Sequence, residues 1–559
     1  MSNFRTTPCA VVCLAFLVAA TAAAAQAGDE ADAPSQALRH GLSALDWGVV
    51  ALYAIAMLAI GVYYARRTET SEDYYLGGRR MKPSMVGLSL FATLLSTISY
   101  LAVPGEVMQH GPAVLTGIAA LPAVFLIVGY ILIPYITKLP ITSAYEILEG
   151  RLGRSIRLMG SALFILIRLV WMGLVVFSAA KVVVSAGGLE PSAVPYAVCT
   201  LGLVTVIYSS MGGLKAVVLT DVIQTGIMFL GALVCVVIIS VKMGGVGWFP
   251  TQWAPNWDVQ PWFSLDPTVR VTVFGTMVYG TLWWICTAGS DQMAIQRYLA
   301  TRDARAARRA FLVNNVADAA VTVLLALLGL ALLGFYRAHP EHLSKALNLK
   351  QDADYLFPRF IVGFMGYGLA GLVISGLLAA AMSSLSSGVN SASTVVNTDI
   401  IEPLLEGQLS ERRKVRLAKW VSLLVGVVVI LLGLLMGRVP GNLYEVTGKT
   451  NGLFVAPLFG LFFMAVCVPF ATPFGAAFGS IYGFVAAFLF AFWDLTGGPR
   501  LSFQWILPVS LAVNIVAGCL LSLIPTRDKG APYKTLLAAL CAAPLVVAVA
   551  GFVALCIAE

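Results

Sequence analysis

The run Ala380-Ala381-Met382-Ser383-Ser384-Leu385-Ser386-Ser387 places four serines inside an otherwise apolar segment that extends from Gly366 to Asn397. A segment of this length can cross the hydrocarbon core of a membrane as a helix, which takes about 20 residues. Ser383, Ser386 and Ser387 share one helical face, because positions three and four apart are neighbours. Polar groups at membrane depth are costly and point to function. The run therefore predicts a spanning helix with a polar stripe.

The composition of the whole chain is that of an integral membrane protein. Of 559 residues, 59% are hydrophobic and 11% are charged, against roughly 45–50% and about 25% in soluble proteins. Apolar runs of spanning length recur throughout. We predict an all-α membrane protein with about fourteen transmembrane helices, at 45–64, 85–110, 114–137, 158–187, 192–210, 216–241, 269–289, 310–335, 366–397, 418–436, 441–467, 471–494, 502–524 and 535–557.

Charge and histidine content argue against two other classes of protein. The net charge of +8 does not indicate nucleic-acid binding, because the basic residues lie in short loops between the spans. The four histidines form no metal pair and no catalytic triad in the sequence, so we do not expect an enzyme.

Residues 1–27 have the features of a cleaved signal peptide. Arg5 precedes the apolar core Cys9–Ala25, and Ala25-Gln26-Ala27 is a small-x-small cleavage site. An uncleaved anchor is the alternative. Cleavage leaves the N-terminus external, and the loops then expected in the cytoplasm carry most of the lysines and arginines, as the positive-inside rule requires. The expected location is a bacterial-type inner membrane.

A second polar stretch follows Met85 and contains Ser89, Thr93, Ser96, Thr97 and Ser99. Pro104-Gly105 comes after it and is expected to interrupt the helix. Unwound backbone at membrane depth is tolerated where it lines a cavity or binds something, and broken helices point to the binding site of a transporter. A simple proline kink is the alternative. For the serine run, the alternative to ion binding is helix packing through small residues.

Asp221 is a third polar feature, about two turns into the sixth predicted span. A carboxylate at that depth requires a cation. Lys215, six residues earlier, is the structural alternative to a bound ion.

Five stretches resemble the sodium:solute symporter family, which includes the sodium–sugar cotransporters. They are, in the order of the family, Tyr74–Arg80, Thr142–Gly153, Tyr208–Gln224, Asp291–Leu299 and Ala379–Asp399. The resemblance covers the chain from about Leu45 to Phe470.

The resemblance implies a core of two inverted five-helix repeats, like that of the leucine transporter. Residues 85–241 and 269–467 would be the repeats, with an extra helix at 45–64 and extra C-terminal helices at 471–557. The broken helices would be the second span and the seventh span, Val269–Gly289, at Gly280 and Gly289. Substrate and ions would meet between them.

Two sodium sites are also implied. The main site would use backbone oxygens of Ala92, Leu95 and Ala380 with the hydroxyls of Ser383 and Ser384. A second site, known in some members, would use Asp221 with Ser383, Ser386 and Ser387. This match favours ion binding by Asp221 over a pair with Lys215, and we expect two sodium ions per cycle.

The expected substrate is less well defined. Sugar-transporting members carry Glu-Gln where this chain has Ile98-Ser99, and Leu95–Tyr100 looks more like the sialic-acid branch. The arginine of that branch aligns with Trp171, and Arg168 lies one turn earlier. We expect an anionic solute with Arg168 as counter-charge; Arg168 as the anchor of a gate or helix end is the alternative. The full set of expected substrate residues is Thr97, Ser99, Tyr100, Arg168, Trp171, Trp283 and Trp284, the last two being equally consistent with packing.

The function that follows is sodium-driven import of a small organic solute by alternating access, with a sialic acid or other carboxylate as the first candidate. A sodium/sugar or polyol cotransporter is the alternative. A non-transporting sensor is less favoured, because Glu559 comes shortly after the last span and no signalling domain is expected. A passive channel is a further alternative. The expected partners are the solute and the lipid bilayer, and the expected functional unit is a monomer.

Overall fold

The computed structural model describes residues 41–343, 353–405, 410–436 and 443–524. The predicted signal peptide and the predicted span 535–557 lie outside the described residues. Within the described ranges the chain is helical and has no strand. In chain order the helices are α1 Ala44–Ala65, α2 Ser71–Leu76, α3 Pro83–Leu94, α4 Thr97–His110, α5 Pro112–Ile136, α6 Glu146–Leu152, α7 Arg154–Ala186, α8 Val194–Lys242, α9 Val273–Ser290, α10 Gln292–Leu299, α11 Ala304–Ala338, α12 Ala353–Phe364, α13 Leu369–Leu404, α14 Glu411–Leu435, α15 Leu443–Cys467, α16 Pro473–Ala491 and α17 Ile506–Ser522.

Ten helices in these ranges are long and apolar enough to cross a membrane, or eleven if the bent α3–α4 pair counts as one span. Helix α8 has 49 residues, about 74 Å and more than twice the thickness of a hydrocarbon core. It is divided at Gly213 (φ 61°, ψ −164°), where an added Cβ would lie 2.8 Å from the Tyr74 carbonyl oxygen. Helix α8 thus covers two predicted spans. The total of fourteen spans and the ranges of the two repeats stay predictions.

The first broken helix is present, and its break lies beside the backbone oxygens expected to bind sodium, at Leu95, and not at Pro104-Gly105. Helices α3 and α4 meet at 68° across Leu95 and Ser96, whereas Pro104 lies inside α4. Leu95 is extended (φ −84°, ψ 117°), and Ser96 caps α4 by accepting from the Ser99 backbone N–H. The prediction of an interruption at Pro104-Gly105 was wrong, because neighbouring helices allow a proline to remain within a membrane helix.

The second broken helix also differs from the expected one. Helix α9 runs through Gly280 and Gly289 without interruption and ends at Ser290. The break falls at Asp291, which is extended (φ −84°, ψ 123°) and accepts from the Met293 backbone N–H at the start of α10. A glycine permits a break without requiring one, whereas an N-cap aspartate begins a new helix.

Helix α13, which carries the serine run, is the centre of the fold. Its most apolar 18-residue window is 100% buried, against 33–65% for the other candidate spans of the described ranges. Its first turn is held by Asp46 of α1, whose Oδ1 accepts from the backbone N–H groups of Gly368 (2.7 Å) and Gly371 (2.9 Å). A carboxylate is favourable there, because the N-terminus of a helix carries partial positive charge. Along this window no side of α13 is therefore left for lipid, whereas Ile400 and Leu404 near its C-terminus are exposed.

Candidate functional site

The break between α3 and α4 places backbone carbonyls against the serines of α13. Ser383 Oγ lies within hydrogen-bond distance of the carbonyl oxygens of Ala92 (2.8 Å) and Ala380 (3.2 Å), either of which can accept its one proton. Ser384 Oγ lies in the same way near those of Thr93 (3.1 Å) and Leu95 (3.1 Å). The structure thus brings together all five groups expected at the main sodium site and adds the Thr93 carbonyl.

This cluster consists of neutral oxygens only, two hydroxyls and four carbonyls. A hydroxyl has one proton to donate and two lone pairs, so it can turn from a carbonyl donor into a cation ligand. Ala92, Ala380 and Ser383 are fully buried, and Ser384 is 2% exposed. Dehydrated hard cations prefer oxygen ligands of this kind, and the burial means that the helices must separate for an ion to enter.

Asp221 lies on the other side of the same serine run. Its Oδ2 accepts from Ser89 Oγ (2.5 Å) and Ser387 Oγ (3.3 Å), and Arg297 Nη2 lies 3.5 Å away. Its Oδ1 is buried without a hydrogen-bond partner among the described residues. The predicted alternative partner, Lys215, forms its ion pair with Asp73 instead.

Arg297 supplies the positive charge next to Asp221. Its side chain is fully buried, and it donates to Ser89 Oγ (3.2 Å), to the Met293 carbonyl (2.9 Å) and to Ser387 Oγ. Removing one member of a buried pair leaves an uncompensated charge, which costs several kcal/mol. The carboxylate is therefore neutralised by the protein itself in this conformation.

Hydrogen bonds connect the two serine clusters. Thr93 Oγ1 lies 2.8 Å from Ser387 Oγ and donates to the Ser89 carbonyl (2.6 Å), while the Thr93 carbonyl belongs to the first cluster. Ser386 Oγ donates to the Ser383 carbonyl (3.1 Å) and not to Asp221. Of the second predicted set, Ser387 contacts Asp221 directly, and Ser383 and Ser386 lie on the same helix with other partners.

Arg168 is paired at the second break. Its guanidinium forms an ion pair with the Asp291 carboxylate, and its Nε is buried without a hydrogen-bond partner among the described residues. A small cavity lies between α7, α9 and α15, and its polar lining consists of Arg168, Thr287, Ser290 and Asp291. The pair connects α7 to the junction of α9 and α10, as expected if Arg168 anchors a helix end.

Comparison with known proteins agrees with this arrangement. The sequence profile of the sodium:solute symporter family matches residues 74–483. The chain belongs to the sodium:solute symporter family. It is 31% identical over 447 residues to the sodium/sialic acid symporter SiaT of Proteus mirabilis, covering 77% of this chain and 86% of the relative. It is 31% identical over 434 residues to human sodium-coupled monocarboxylate transporter 1, covering 76% and 70%.

A solved structure of a related symporter has the same fold. The substrate-bound, outward-open state of a Na⁺-coupled sialic acid symporter matches with a TM-score of 0.74 at 28% identity, over 86% of this chain and 98% of that one. The predicted family and the all-helical, leucine-transporter-like fold are therefore confirmed. The family consists of transporters, which agrees with the expectation that the chain is not an enzyme.

The predicted substrate residues of α4 have partners within the symporter. Thr97 Oγ1 donates to the Leu377 carbonyl (2.7 Å), and Tyr100 OH donates to the Met228 carbonyl (2.7 Å). Both side chains are fully buried. Ser99 is half-buried, and its hydroxyl lies 3.4 Å from that of Ser96. In this conformation Thr97 therefore connects α4 to α13, and Tyr100 connects α4 to α8.

Of the tryptophans predicted to bind solute, one is in α7 and two are in α9. Trp171 is half-buried against the main core. Trp283 and Trp284 form an edge-to-face pair with ring centroids 4.8 Å apart. Trp284 is 8% exposed, and Trp283 Nε1 is buried without a described hydrogen-bond partner. Packing accounts for Trp284, whereas the Trp283 indole N–H requires an acceptor.

Sequence reasoning missed two charged residues of the site, Asp291 and Arg297. Both lie in the stretch Asp291–Leu299, which carried the family resemblance but received no role. A signal was present in the sequence, because charges at membrane depth need partners of opposite charge. Asp221 calls for a base such as Arg297, and Arg168 calls for an acid such as Asp291. What the sequence did not show is which acid faces which base across 76 and 123 residues of chain.

Proposed function

We propose that this symporter couples the inward movement of Na⁺ to the import of a small organic solute by alternating access. The observation that carries the proposal is the contact between the unwound residues of the α3–α4 break and the two hydroxyls of Ser383 and Ser384. The proposed main sodium site consists of Ala92, Leu95, Ala380, Ser383 and Ser384, with Thr93 as an added ligand.

An ion at this position would act as a removable bridge between two helices. On Na⁺ binding the two serine hydroxyls would keep their protons and rotate, so that oxygen lone pairs and the carbonyls face the ion. The ion would hold α3–α4 and α13 at a fixed separation in the outward-open state. Loss of the ion to a low-sodium cytoplasm would let the direct hydrogen bonds reform. By linkage, sodium and solute must raise each other's affinity by the same factor.

The proposed stoichiometry is two sodium ions. The second would bind at Asp221 with Ser383, Ser386 and Ser387, and the unpartnered Asp221 Oδ1 is the oxygen available to it. Arg297 already neutralises Oδ2, so the second ion would be bound more weakly than an ion with a carboxylate to itself.

For the solute we propose a carboxylate, a sialic acid or a smaller organic acid. Two relatives support this class, since their names specify sialic acid and monocarboxylates. A carboxylate that reaches Arg168 would replace Asp291 as its partner, so solute binding would release the α9–α10 junction. Exchange of one carboxylate for another avoids leaving a buried guanidinium unpaired.

Sugars or polyols are the second candidate. The Trp283–Trp284 pair offers an aromatic face and one indole N–H without an acceptor among the described residues, which suits a hydroxyl-rich ring. We further propose that the unit of function is a monomer in a bacterial-type inner membrane, with an external N-terminus after signal cleavage.

Uptake by purified protein in liposomes tests this proposal. With an inward Na⁺ gradient, N-acetylneuraminate or a small monocarboxylate should accumulate, and an equal K⁺ gradient should give none. Ser384→Ala should weaken the sodium dependence, whereas Ser393→Ala on the same helix should not. Competition by neutral sugars without competition by carboxylates would overturn the solute class, and uptake independent of sodium would overturn the coupling.

A further inference from the structure

The side of α11 that faces the protein interior carries an acidic residue, Asp318, that neither ion site uses. Between Ala310 and Leu325 the exposed residues of α11 form one stripe at helical spacing: Leu312, Val316, Ala320 and Val323. Of the residues three, four and seven positions from Asp318 on its own face, Thr322 is half-buried and the others are buried: Phe311, Asn314, Asn315, Val321 and Leu325. Asp318 itself is half-buried. Since it points away from the exposed stripe, its accessible surface comes from the interior.

Asp318 lies at the level of the α3–α4 break. Gly87 of α3 packs on the Ala310 carbonyl, and Gly329 of α11 packs on the Pro104 carbonyl, so the two helices run side by side. Asp318 is eight residues past Ala310, about 12 Å along the helix axis. The break at Leu95 is likewise eight residues past Gly87. The carboxyl is therefore at the depth of the proposed sodium site.

Asp318 has no hydrogen bond or ion pair with any described residue. One turn earlier on the same face, Asn314 is fully buried, and its Oδ1 also lacks a partner. Asn314 Nδ2 donates to Asn315 Oδ1 (3.1 Å), so the amide nitrogen of Asn314 has a partner within α11. Two acceptors without a described partner thus lie one turn apart on the same face of α11.

The charged groups on neighbouring helices have partners of their own. On α10 and α8, Arg297 pairs with Asp221. Lys215 of α8 pairs with Asp73. On α4, Glu106 pairs with Arg270, and His110 pairs with Asp258. Helix α3 has no titratable residue, and in α5 these are Tyr130, beneath Arg308, and the exposed Tyr135.

The remaining titratable neighbours are uncharged or distant. Tyr298 of α10 stands edge-on to Phe311, and its hydroxyl is buried without a described partner. The groups of α12 and of residues 340–342 pack near Phe335, 17 residues or about 26 Å along α11 from Asp318. No described cation is therefore paired with this carboxyl.

We propose that Asp318 is a proton-binding site in the interior of the helix bundle, with Asn314 Oδ1 as the acceptor of the carboxyl proton. Protonation forms one O–H bond and removes one negative charge, and no other bond changes. Two acceptors are enough for a proton, whereas a sodium ion would need several more oxygens, as at the serine cluster. The charge would otherwise be unpaired at membrane depth, which is costly.

Protonation would also bear on the transport cycle. The neutral form can pack in the closed bundle, while the charged form needs water, which the α3–α4 break can supply when the helices separate. This inference does not depend on the identity of the solute. It predicts that opening of the bundle and release of the Asp318 proton are coupled.

Infrared difference spectroscopy on the purified, reconstituted protein tests the assignment directly, with protons as the only ligand. We expect a protonated-carboxyl C=O band that titrates between about pH 5 and about pH 9 and shifts on ¹³C-labelling of aspartate. Asp318→Asn should abolish the band. Asp318→Glu should keep a titrating band that no longer responds to labelled aspartate, and Glu69→Gln, an exposed carboxyl replaced in the same way, should leave the spectrum unchanged.

The Asp318→Glu spectrum keeps the test decisive if the asparagine variant fails to fold. An unchanged aspartate band in Asp318→Asn or in Asp318→Glu would overturn the proposal. So would a wild-type spectrum with no titrating aspartate band over this pH range.

Discussion

Both broken helices interrupt the backbone inside the helix bundle, but one break is surrounded by neutral oxygens and the other by an ion pair. At the α3–α4 break, two serine hydroxyls of α13 meet four backbone carbonyls, and no charged side chain takes part. At the α9–α10 break, the non-helical residue is itself charged: Asp291 caps α10 and pairs with Arg168 of α7. Both breaks are buried.

The difference indicates that the first break can bind an exchangeable ion, whereas the second break is kept closed by an ion pair. Hydroxyls and carbonyls are satisfied by one another or by a cation at little cost in either state, so the first junction suits an ion that comes and goes. A buried ion pair is costly to separate unless another charge replaces a partner. We therefore expect the second junction to open only when an anion takes the place of Asp291.

The largest effect is expected from removing the charge at the second break. Asp291→Asn keeps the N-cap, since an asparagine oxygen can still accept from the Met293 backbone N–H, but it leaves Arg168 buried and uncompensated. A loss of about 3–5 kcal/mol in stability should follow, measured as a lower Tm of the purified protein. Adding Arg168→Met should restore much of the loss.

The Glu106–Arg270 ion pair is the matched control for that experiment. Glu106 and Arg270 form two hydrogen bonds of 2.6 and 2.8 Å, but the Arg270 side chain is 27% exposed against 11% for Arg168. Glu106→Gln should therefore lower Tm less than Asp291→Asn does. Equal losses, or a double variant whose losses add, would contradict the role given to the Arg168–Asp291 pair.

At the first break, Ser384→Ala should lower the affinity for sodium without a comparable loss of stability. The variant removes the hydroxyl that joins the Thr93 and Leu95 carbonyls, and one contact to a charged group is worth about 1.5–3 kcal/mol. We expect the half-saturating sodium concentration for uptake to rise by about tenfold or more. Ser393→Ala is the control, because Ser393 bonds to Asn390 and Ser422 away from the break. Equal effects of the two variants would remove the main site from this position.

Asp221→Asn tests whether the serine run serves one ion or two. With two ions, the sodium dependence of uptake should have a Hill coefficient above one that falls towards one in the variant. Asp221→Asn also leaves Arg297 without its carboxylate partner, which should lower stability. The double variant Asp221→Asn/Arg297→Gln removes that unpaired charge, so it separates the loss of an ion from the loss of stability. A Hill coefficient of one in the wild type would rule out the second site.

Family motifs and apolar periodicity were sufficient to predict the fold class and the serine cluster, because both depend on local sequence. Ala92, Leu95 and Ala380 meet Ser383 and Ser384 as expected. The interruptions expected at Pro104-Gly105 and at Gly280 or Gly289 were wrong, because such residues permit a break, while the capping residues Ser96 and Asp291 determine it. The backbone oxygens expected at Ala92 and Leu95 do lie at the first break. The pairing of Arg168 and of Asp221 could not be predicted, since it depends on which helices pack together. Asp318 received no role, although an acidic residue within an apolar run was visible.

The smallest expected effect concerns Thr97, the first residue of α4 after the break. It was predicted to bind the solute, but its hydroxyl donates to the Leu377 carbonyl of α13. Hydrogen bonds between membrane helices contribute about 0.6 kcal/mol on average. Thr97→Val, which keeps the shape, should therefore lower Tm slightly and leave the half-saturating solute concentration unchanged, while Ser99→Ala, at a half-buried position, serves as the comparison. A large loss of solute affinity in Thr97→Val with an unchanged Tm would mean that the hydroxyl leaves Leu377 for the solute, and that the first break supplies ligands for the solute as well as for sodium.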